Sequence, residues 1–253
     1  MKTALITGAT SGFGRAIASR LAGLGYQLII TGRRMERLEE LTQKLHADFS
    51  VEVLPLCFDI RDNDACTKAV LSIPKTFQKI VLLVNNAGLA AGASPFQDSD
   101  LADYDQMIDT NVKGLLYITK LIVPGMIERQ TGHIINISSI AGIEVYPTGS
   151  VYCASKHAVN AITKGLRLDL IKDGIKVSSI SPGMAETEFS LVRYHGDEEK
   201  AKAVYHGLTP LNAEDIADTV EFIVTRPAHV NINDIQINPA RQANTYISHR
   251  TID

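Results

Sequence analysis

Tyr152 and Lys156 carry complementary proton chemistry and stand four residues apart in the sequence. Residues with this spacing lie on one face of a helix. A free phenol titrates at about pH 10, which is too high for easy proton exchange at neutral pH. A neighbouring ammonium group stabilises the phenolate and lowers that pKa. The pair therefore predicts a general acid/base centre, with an ordinary surface helix pair as the alternative.

Further polar groups follow predicted strands. Ser138 and Ser139 end the fifth strand, thirteen residues before Tyr152, and Asn86 follows the fourth. Ligands of open α/β sheets bind at the carboxyl ends of the strands, so these groups are expected at one edge. Asn111 lies in an otherwise apolar helix, where its amide must be hydrogen-bonded. It is expected either to be a satisfied structural residue or to hold a water in a proton relay.

A glycine-rich turn follows the first predicted strand and opens a helix. Its glycines allow a tight turn and close approach of a pyrophosphate, and the helix N-terminus supplies free N–H groups. The spacing is G-x-x-x-G-x-G rather than G-x-G-x-x-G. At the first strand–helix junction it predicts a dinucleotide site, with an ordinary glycine turn as the alternative. The expected contacts are Gly8, Ala9, Thr10, Ser11, Gly12, Phe13 and Gly14.

The end of the second strand indicates which dinucleotide is bound. NAD sites usually place an acidic residue there for the ribose 2′-OH, but this chain has no Asp or Glu before Glu36. Arg33 and Arg34 stand there instead, and guanidinium groups pair with a 2′-phosphate. The predicted cofactor is NADP(H), whose oxidised ring would further lower the pKa of Tyr152. Arginines that merely solvate the helix start are the alternative.

Short β-branched runs alternate with amphipathic stretches along the whole chain. Continuous apolar strands are typical of a parallel sheet covered on both faces. The pattern predicts an α/β fold: a single-domain, Rossmann-like, doubly wound sheet of about seven strands over residues 1–253. The predicted strands are 4–6, 28–30, 51–56, 80–84, 134–137, 177–180 and 235–237, and the helices are 13–24, 34–46, 62–72, 103–129, 151–172 and 213–225.

Composition narrows the function classes. The 253 residues are 45% hydrophobic with a formal net charge of −3, which argues against a disordered chain and against nucleic acid as a partner. Three cysteines without C-x-x-C spacing favour a reducing cytoplasm. No apolar run predicts a membrane helix, and the seven histidines lack the spacing of a metal site. A cytoplasmic protein with a small-molecule substrate is expected.

Three segments bear on assembly and access. The stretch 106–127 is apolar nearly all round, which predicts packing on both the sheet and a partner subunit. A homo-oligomer is expected, a tetramer or else a dimer, with a large single-chain core as the alternative. Residues 184–210 contain no strand and are expected to form a lid rather than a plain surface insertion. The polar tail 241–253 is expected to be disordered or to reach a neighbouring subunit.

Together these residues resemble the short-chain dehydrogenase/reductase family over nearly the whole chain. The motifs occur in family order and in a highly specific combination. They are T-G-x-x-x-G-x-G at Thr7–Gly14, N-N-A-G at Asn85–Gly88, Asn111, Ser139, Y-x-x-x-K at Tyr152–Lys156, and Ser181-Pro182-Gly183.

The resemblance implies a role for each matching residue. Tyr152 would be the general acid/base, Lys156 would lower its pKa and bind the nicotinamide ribose, and Ser139 would hydrogen-bond the substrate oxygen. Asn111 would support a water that links Lys156 to solvent. The choice of Ser139 over Ser138 rests on family spacing alone. Further implied cofactor contacts are Asp59, Ile60, Asn86, Ala87, Gly88, Pro182, Gly183 and Thr187.

Within the family the chain is most similar to NADP-dependent 3-hydroxy acid dehydrogenases, which oxidise L-serine and L-allo-threonine. Segments 31–38, 187–193 and 227–233 carry this likeness, although Met184-Ala185-Glu186 differs. Such relatives also reduce malonic semialdehyde or sulfoacetaldehyde. We expect Arg193 to bind a substrate carboxylate, with a solvated lid charge as the alternative. The rival functions are a non-catalytic NADP-binding regulator and a nucleotide-sugar epimerase, which is normally longer.

Overall fold

A computed structural model describes residues 2–251. Its sheet has seven parallel strands in the order β3-β2-β1-β4-β5-β6-β7. The predicted fold is therefore confirmed, and the predicted strand bounds differ only at their ends. The strands are β1 Thr3–Ile6, β2 Gln27–Gly32, β3 Val53–Cys57, β4 Ile80–Asn85, β5 Gly132–Ile137, β6 Ile175–Pro182 and β7 Asp234–Ile237.

Helices cover both faces of this sheet. One hydrophobic core joins the sheet to α1, α2 and α9, and a second joins its other face to α3, α5 and α6. This two-sided burial explains why the strand sequences are continuously apolar. The helices are α1 Gly12–Gly23, α2 Met35–Phe49, α3 Asn63–Leu71, α4 Leu101–Ile108, α5 Leu115–Glu128, α6 Ser150–Leu170, α7 Glu188–Arg193, α8 Glu198–Ala203 and α9 Ala213–Val224.

The helix predicted over 103–129 has an irregular centre. A π-helical segment, Asp109–Gly114, joins α4 to α5, so the three form one continuous rod. Its wider turn interrupts the regular α-helical spacing in front of the sheet, and π segments of this kind are frequent at functional sites. Asn111 lies within it and is only 1% exposed.

The order in which strands are added to the sheet changes side at β1, although all the strands are parallel. β1 pairs with β2 on one side and with β4 on the other, so the chain winds outward both ways from β1. The loops at the carboxyl ends of β1 and β4 therefore diverge and leave a crevice, which is where ligands bind in such sheets. None of the described helices is long and apolar enough to cross a membrane.

The predicted lid and the predicted tail both pack on the body of the same chain. Residues 184–210 contain α7 and α8, and β-type contacts pair Ala185 with Leu211. The tail is ordered as far as it is described: Gln242 is buried, and the Arg250 guanidinium donates to the carbonyl oxygens of Val204 and His206. The expectation of a disordered tail is therefore wrong for 241–251; residues 252–253 lie outside the described residues.

Candidate active site

A cavity of about 500 Å³ opens at the carboxyl edge of the sheet. It runs from Arg33 and Arg34, at the end of β2, past Tyr152 to Arg193 at the end of α7. Nearly all of the predicted site residues line it. The exceptions are Ala9, Gly14 and Asn111, which are buried just behind its wall.

The glycine loop has the shape of a phosphate cradle. Gly8 and Gly12 have φ of +67° and +51°, a backbone conformation that residues other than glycine rarely adopt. A Cβ on Gly14 would overlap the carbonyl oxygen of Gly8, so α1 can approach β1 only with glycine there. The loop therefore leaves backbone N–H groups at the start of α1 facing the cavity, and these residues fit a dinucleotide pyrophosphate.

The loop after β4 holds that cradle in place. The Asn86 side chain donates to the carbonyl oxygens of Thr7 and Gly8, at 2.9 and 3.1 Å. The Thr7 hydroxyl in turn accepts from the backbone N–H groups of Asn86 and Ala87. The N-N-A-G motif thus ties β4 to the glycine loop, while Ala87 and Gly88 line the cavity beside it.

Arginines cluster at the outer end of the cavity. Arg34 donates through one nitrogen to the hydroxyls of Thr10 and Ser11, at 3.0 and 3.2 Å, and through another to Glu188 at 3.1 Å. Arg33 is exposed at the rim. Hydroxyls and guanidinium groups that face the same space suit a 2′-phosphate, so the residues fit NADP(H).

Asp59 and Ile60 form the wall expected to meet an adenine. Asp59 accepts two hydrogen bonds from the Arg61 side chain, and these hold the pKa of its carboxyl below the usual value. The positive charge of Arg33 contributes to the same shift. Ile60 is 9% exposed and packs on Gly114 of the π segment, where no larger residue would fit.

Tyr152, Lys156 and Ser139 meet at the middle of the cavity. The first two lie on the first turns of α6, and Lys156 Nζ is 6.0 Å from the centre of the Tyr152 ring. That ammonium group donates to the carbonyl oxygen of Ile137, at 3.0 Å, at the end of β5. Ser139 caps a short turn after the same strand, and the Ser138 hydroxyl donates to the carbonyl oxygen of Lys156. Both serines line the cavity, but Ser138 is only 4% exposed and Ser139 is the more exposed of the two; the choice of Ser139 stays a prediction.

Burial dominates the proton affinities of this pair. It raises the pKa of Tyr152 far above its ordinary value, while the nearby Ser139 hydroxyl and Arg193 cation lower it only in part. Burial also lowers the pKa of Lys156 to about 8. The Lys156 ammonium lies 6.0 Å from the centre of the phenol ring, and its expected lowering of the phenol pKa stays a prediction.

Asn111 has a fully engaged amide. Its oxygen accepts from the N–H of Leu89, and its nitrogen donates to the Leu89 carbonyl and to the Ser155 hydroxyl, at 2.8 to 3.0 Å. Ser155 donates in turn to the Tyr152 carbonyl oxygen. The side chain therefore joins the loop after β4 to α6, which agrees with the structural alternative; the relay role stays a prediction.

Arg193 lies at the end of the cavity opposite Arg33 and Arg34. The Arg193 guanidinium donates to the Tyr146 hydroxyl and to the Gly92 carbonyl oxygen, both at 3.3 Å. It also lies over the Tyr146 ring, 5.5 Å from its centre. Among the described residues it pairs with no carboxylate. It is thus a cation within a pocket, available to an acidic ligand.

Several lining residues were not predicted from the sequence. Tyr146 precedes the Y-x-x-x-K motif, and Phe189 packs edge-on against the Tyr152 ring with centroids 5.7 Å apart. Gln242 accepts from the N–H of Met184, beside Pro182 and Gly183. Thr245 reaches the cavity by binding Glu144. Phe189 lies on α7 within the segment 187–193 that carries the subgroup likeness, whereas Tyr146, Gln242 and Thr245 come from segments without a recognisable spacing.

The lid begins on top of the glycine loop. Thr187 caps α7, accepts from the N–H of Phe189, and packs where a Cβ on Gly12 would contact it. Ser190 and Tyr205 are hydrogen-bonded at 2.6 Å, and Tyr205 donates to the carbonyl oxygen of Ala185. These contacts hold α7 along the whole cavity, from the arginine cluster to Arg193.

Comparison with known proteins agrees with this geometry. The chain is 49% identical to sulfoacetaldehyde reductase 2 from Chromohalobacter salexigens, over 94% of each protein. It is 45% identical to the NADP-dependent 3-hydroxy acid dehydrogenase YdfG of Salmonella typhimurium, over 94% of this chain and 95% of that one. It superimposes on the closed form of a serine dehydrogenase complexed with NADP+, with a TM-score of 0.91 and 42% identity over 98% of this chain and all of the other.

A family model described as short chain dehydrogenase matches residues 2–197. That span includes the glycine loop, the N-N-A-G loop and the Y-x-x-x-K motif on α6, together with most of the sheet. The resemblance inferred from the sequence is therefore confirmed, and with it the oxidoreductase class: the chain belongs to the short-chain dehydrogenase/reductase family.

Proposed function

We propose that the protein is an NADP(H)-dependent oxidoreductase that interconverts the CH–OH and C=O groups of a small 3-hydroxy acid. One observation carries this proposal. A single cavity holds an arginine cluster at one end and, at the other, Arg193, which pairs with no carboxylate of the described residues; buried Tyr152 and Lys156 lie between them beside Ser139. The spacing suits a phosphorylated cofactor and a short acidic substrate that meet at Tyr152.

The cofactor, when bound, supplies the hydride acceptor or donor. The protein's own residues handle the proton and the position of the substrate. Ser139 and Tyr152 hold the substrate oxygen between their hydroxyl groups, and Tyr152 Oη takes the proton in oxidation or returns it in reduction. Lys156, protonated below its pKa of about 8, stabilises the phenolate and offers a donor to the nicotinamide ribose.

Arg193 binds the acid group of the substrate in this proposal. Its guanidinium has a planar set of donors that fits a carboxylate, and it lines the same cavity as Tyr152, close enough for its charge to act on the phenol. Tyr146 orients it through the 3.3 Å hydrogen bond and the ring contact. A sulfonate has the same charge, so sulfoacetaldehyde is the alternative substrate, as in the relative from Chromohalobacter.

The remaining alternatives rest on less. A broad carbonyl reductase would not need a cation at the substrate end, and a non-catalytic regulator would not need Ser139, Tyr152, Lys156 and Asn111 together. All four are present and three line one cavity. We therefore favour the acid-specific enzyme over either of them.

The test is absorbance at 340 nm with purified protein. NADP+ or NAD+ is combined with L-serine, L-allo-threonine or 3-hydroxypropionate, and sulfoacetaldehyde is tested with NADPH. Reduction of NADP+ by the hydroxy acids, with little from NAD+, is the expected result. Activity on uncharged secondary alcohols alone would contradict the substrate class, and no activity in either direction would favour the regulator.

We also propose a homotetramer in the cytoplasm, with a dimer as the alternative assembly. Leu116 on α5 and Leu168 on α6 leave apolar side chains exposed on neighbouring helices, at 42% and 77%. Water-exposed leucines of this kind are typical of a subunit interface. Three free cysteines suit a reducing compartment. Light scattering on the purified protein gives the subunit number, and fractionation of cells gives the location.

A further inference from the structure

The lid places a carboxylate on the arginines expected to bind the cofactor phosphate. Glu188, the first residue of α7, accepts from Arg34 at 3.1 Å and from Arg37 at 2.5 Å, one bond on each carboxylate oxygen. Its side chain and those of both arginines are about 40% exposed. The contact joins segments 151 and 154 residues apart, so it is a tertiary feature rather than a local helix pair.

Glu188 is held there by the fold. Thr187, just before it, packs on Gly12 of the glycine loop, and the rest of α7 is fixed by Ser190 and Arg193. Partial burial raises the pKa of the Glu188 carboxyl, but the hydrogen bonds from Arg37 and Arg34 outweigh this and keep it below its usual value. The group is therefore ionised at neutral pH.

A 2′-phosphate in this place meets an unusual environment. It has a charge of about −1.5 to −2 and binds guanidinium groups. Arg34 already directs one nitrogen to the Thr10 and Ser11 hydroxyls and another to Glu188. The phosphate and the carboxylate must share Arg34 within a few ångströms, where like charges repel.

We infer that Glu188 is a specificity-determining residue for the cofactor: its carboxylate competes with the 2′-phosphate for Arg34 and limits how tightly NADP(H) binds. NAD(H) lacks the phosphate and so does not meet this competition. The arginines favour NADP(H) over NAD(H), and Glu188 reduces this difference in affinity. This inference rests on the proposed phosphate site at Arg33 and Arg34.

Weaker binding of the cofactor should speed its release after each turnover. Both oxidised and reduced forms carry the 2′-phosphate, so the carboxylate weakens the binding of each, including the form that must leave after reaction. Release of product often limits the rate of well-adapted enzymes. Removing the charge should therefore tighten binding and slow the release of cofactor.

The experiment measures cofactor binding to the full-length protein by calorimetry at low ionic strength. The probes are NADP+ and 2′,5′-ADP, which carry the phosphate, and NAD+ and 5′-AMP, which do not. Glu188→Gln is compared with Glu186→Gln, which makes the same charge change at an exposed lid position. Both changes keep the shape of the side chain, and Glu188→Gln also removes the charge from two partly exposed ion pairs, which contribute little to stability.

For Glu188→Gln we expect about fivefold tighter binding of both phosphate-bearing probes, with NAD+ and 5′-AMP unchanged. The gain should shrink in high salt, because screening weakens exposed charges. Glu186→Gln should change neither class. Weaker NADP+ binding, or equal tightening of all four probes, would overturn the inference.

Arg34→Gln separates failure of the inference from failure of the phosphate site. It should weaken NADP+ and 2′,5′-ADP while leaving NAD+ and 5′-AMP as they were. If it does so and Glu188→Gln has no effect, the inference alone is wrong. If Arg34→Gln changes both classes equally, the proposed phosphate site is wrong as well.

Discussion

The two ends of the cavity are built in different ways. At the cofactor end, the glycine loop and the two arginines come from the first strand–helix–strand unit, and the backbone shapes the site. At the substrate end, Tyr146, Arg193 and Gln242 come from three distant segments, and side chains shape it. The first end is thus formed mainly within one stretch of the chain and is then held by Asn86 and the lid, whereas the second exists only once the lid and the tail have packed.

This difference separates what each end can tolerate. A loop built from packed backbone is disrupted by a single added side-chain carbon, because the main chain around it cannot move aside. A side-chain wall loses one contact at a time and can be altered to accept another substrate. The centre of the cavity combines both, since Tyr152 and Lys156 are buried like core residues and are also the residues that we propose as the proton-transfer pair.

The largest effect is expected at the centre. Tyr152→Phe removes the proton donor and should lower kcat about 10³-fold in either direction. Cofactor binding should remain, because the change leaves the cradle and arginines intact. Steady-state rates and calorimetry measure the two properties. Tyr117→Phe, on α5, is the matched control; a Tyr152→Phe enzyme of near-normal rate would remove the phenol from the mechanism.

The cofactor end should be the most sensitive to added volume. A Cβ on Gly14 would overlap the backbone of Gly8, so Gly14→Ala should cost about 3 kcal/mol in the free energy of unfolding or open the cradle. Denaturant unfolding and NADP+ binding measure both outcomes. Gly165→Ala is the control, since nothing lies near its Cβ on α6. Normal stability and normal NADP+ binding of Gly14→Ala would contradict the rigid cradle.

Lys156 should destabilise the fold that contains it. Its pKa is lowered from 10.5 to about 8, so the unfolded chain binds its proton more tightly than the folded one. The penalty is full below about pH 8 and fades toward pH 10.5. Lys156→Met should therefore add about 2 kcal/mol of stability at pH 7, and less at pH 10, while abolishing activity.

Denaturant unfolding at the two pH values checks the prediction for Lys156. Lys164→Met, at an exposed position of the same helix, should change little. A gain from Lys156→Met that did not depend on pH would mean that packing, rather than the buried charge, is responsible.

The substrate end should show the smallest and most selective effect. Arg193→Met should raise KM for serine about tenfold with little change for an uncharged secondary alcohol, because only the acid loses a partner. Lys200→Met, elsewhere on the lid, is the control for lost charge. An unchanged KM for serine would show that Arg193 does not bind the carboxylate.

The features that could be predicted from the sequence are those whose residues lie close together along the chain. The seven strands, the glycine loop and the Tyr152–Lys156 pair were all predictable, because β-branched runs and short spacings reflect contacts between near neighbours. The family motifs extended this to Asn86 and Ser139. Their positions in one cavity agree with the implied roles, which stay predictions until the variants are measured.

The parts that were missed depend on long-range contacts. Glu188 meets Arg37 across 151 residues, and Thr245 meets Glu144 across 101, with no periodicity that links either pair. The polar tail was expected to be disordered or to reach a neighbouring subunit, yet its Arg250 side chain donates to two carbonyl oxygens of the lid. The burial of Tyr152, which raises the pKa of its phenol, likewise cannot be read from the four-residue spacing of the motif.

The π-helical segment determines how the protein responds to the deletion of one residue. A π turn closes its hydrogen bond over one more residue than an α turn, so a residue lost between Asp109 and Gly114 would be absorbed by a return to regular α-helix. Ile118 and Ile122 would keep facing the sheet, whereas Asn111 would lose the local geometry that lets its amide reach both Leu89 and Ser155. A single-codon deletion there would therefore spare the core and separate the loop after β4 from α6.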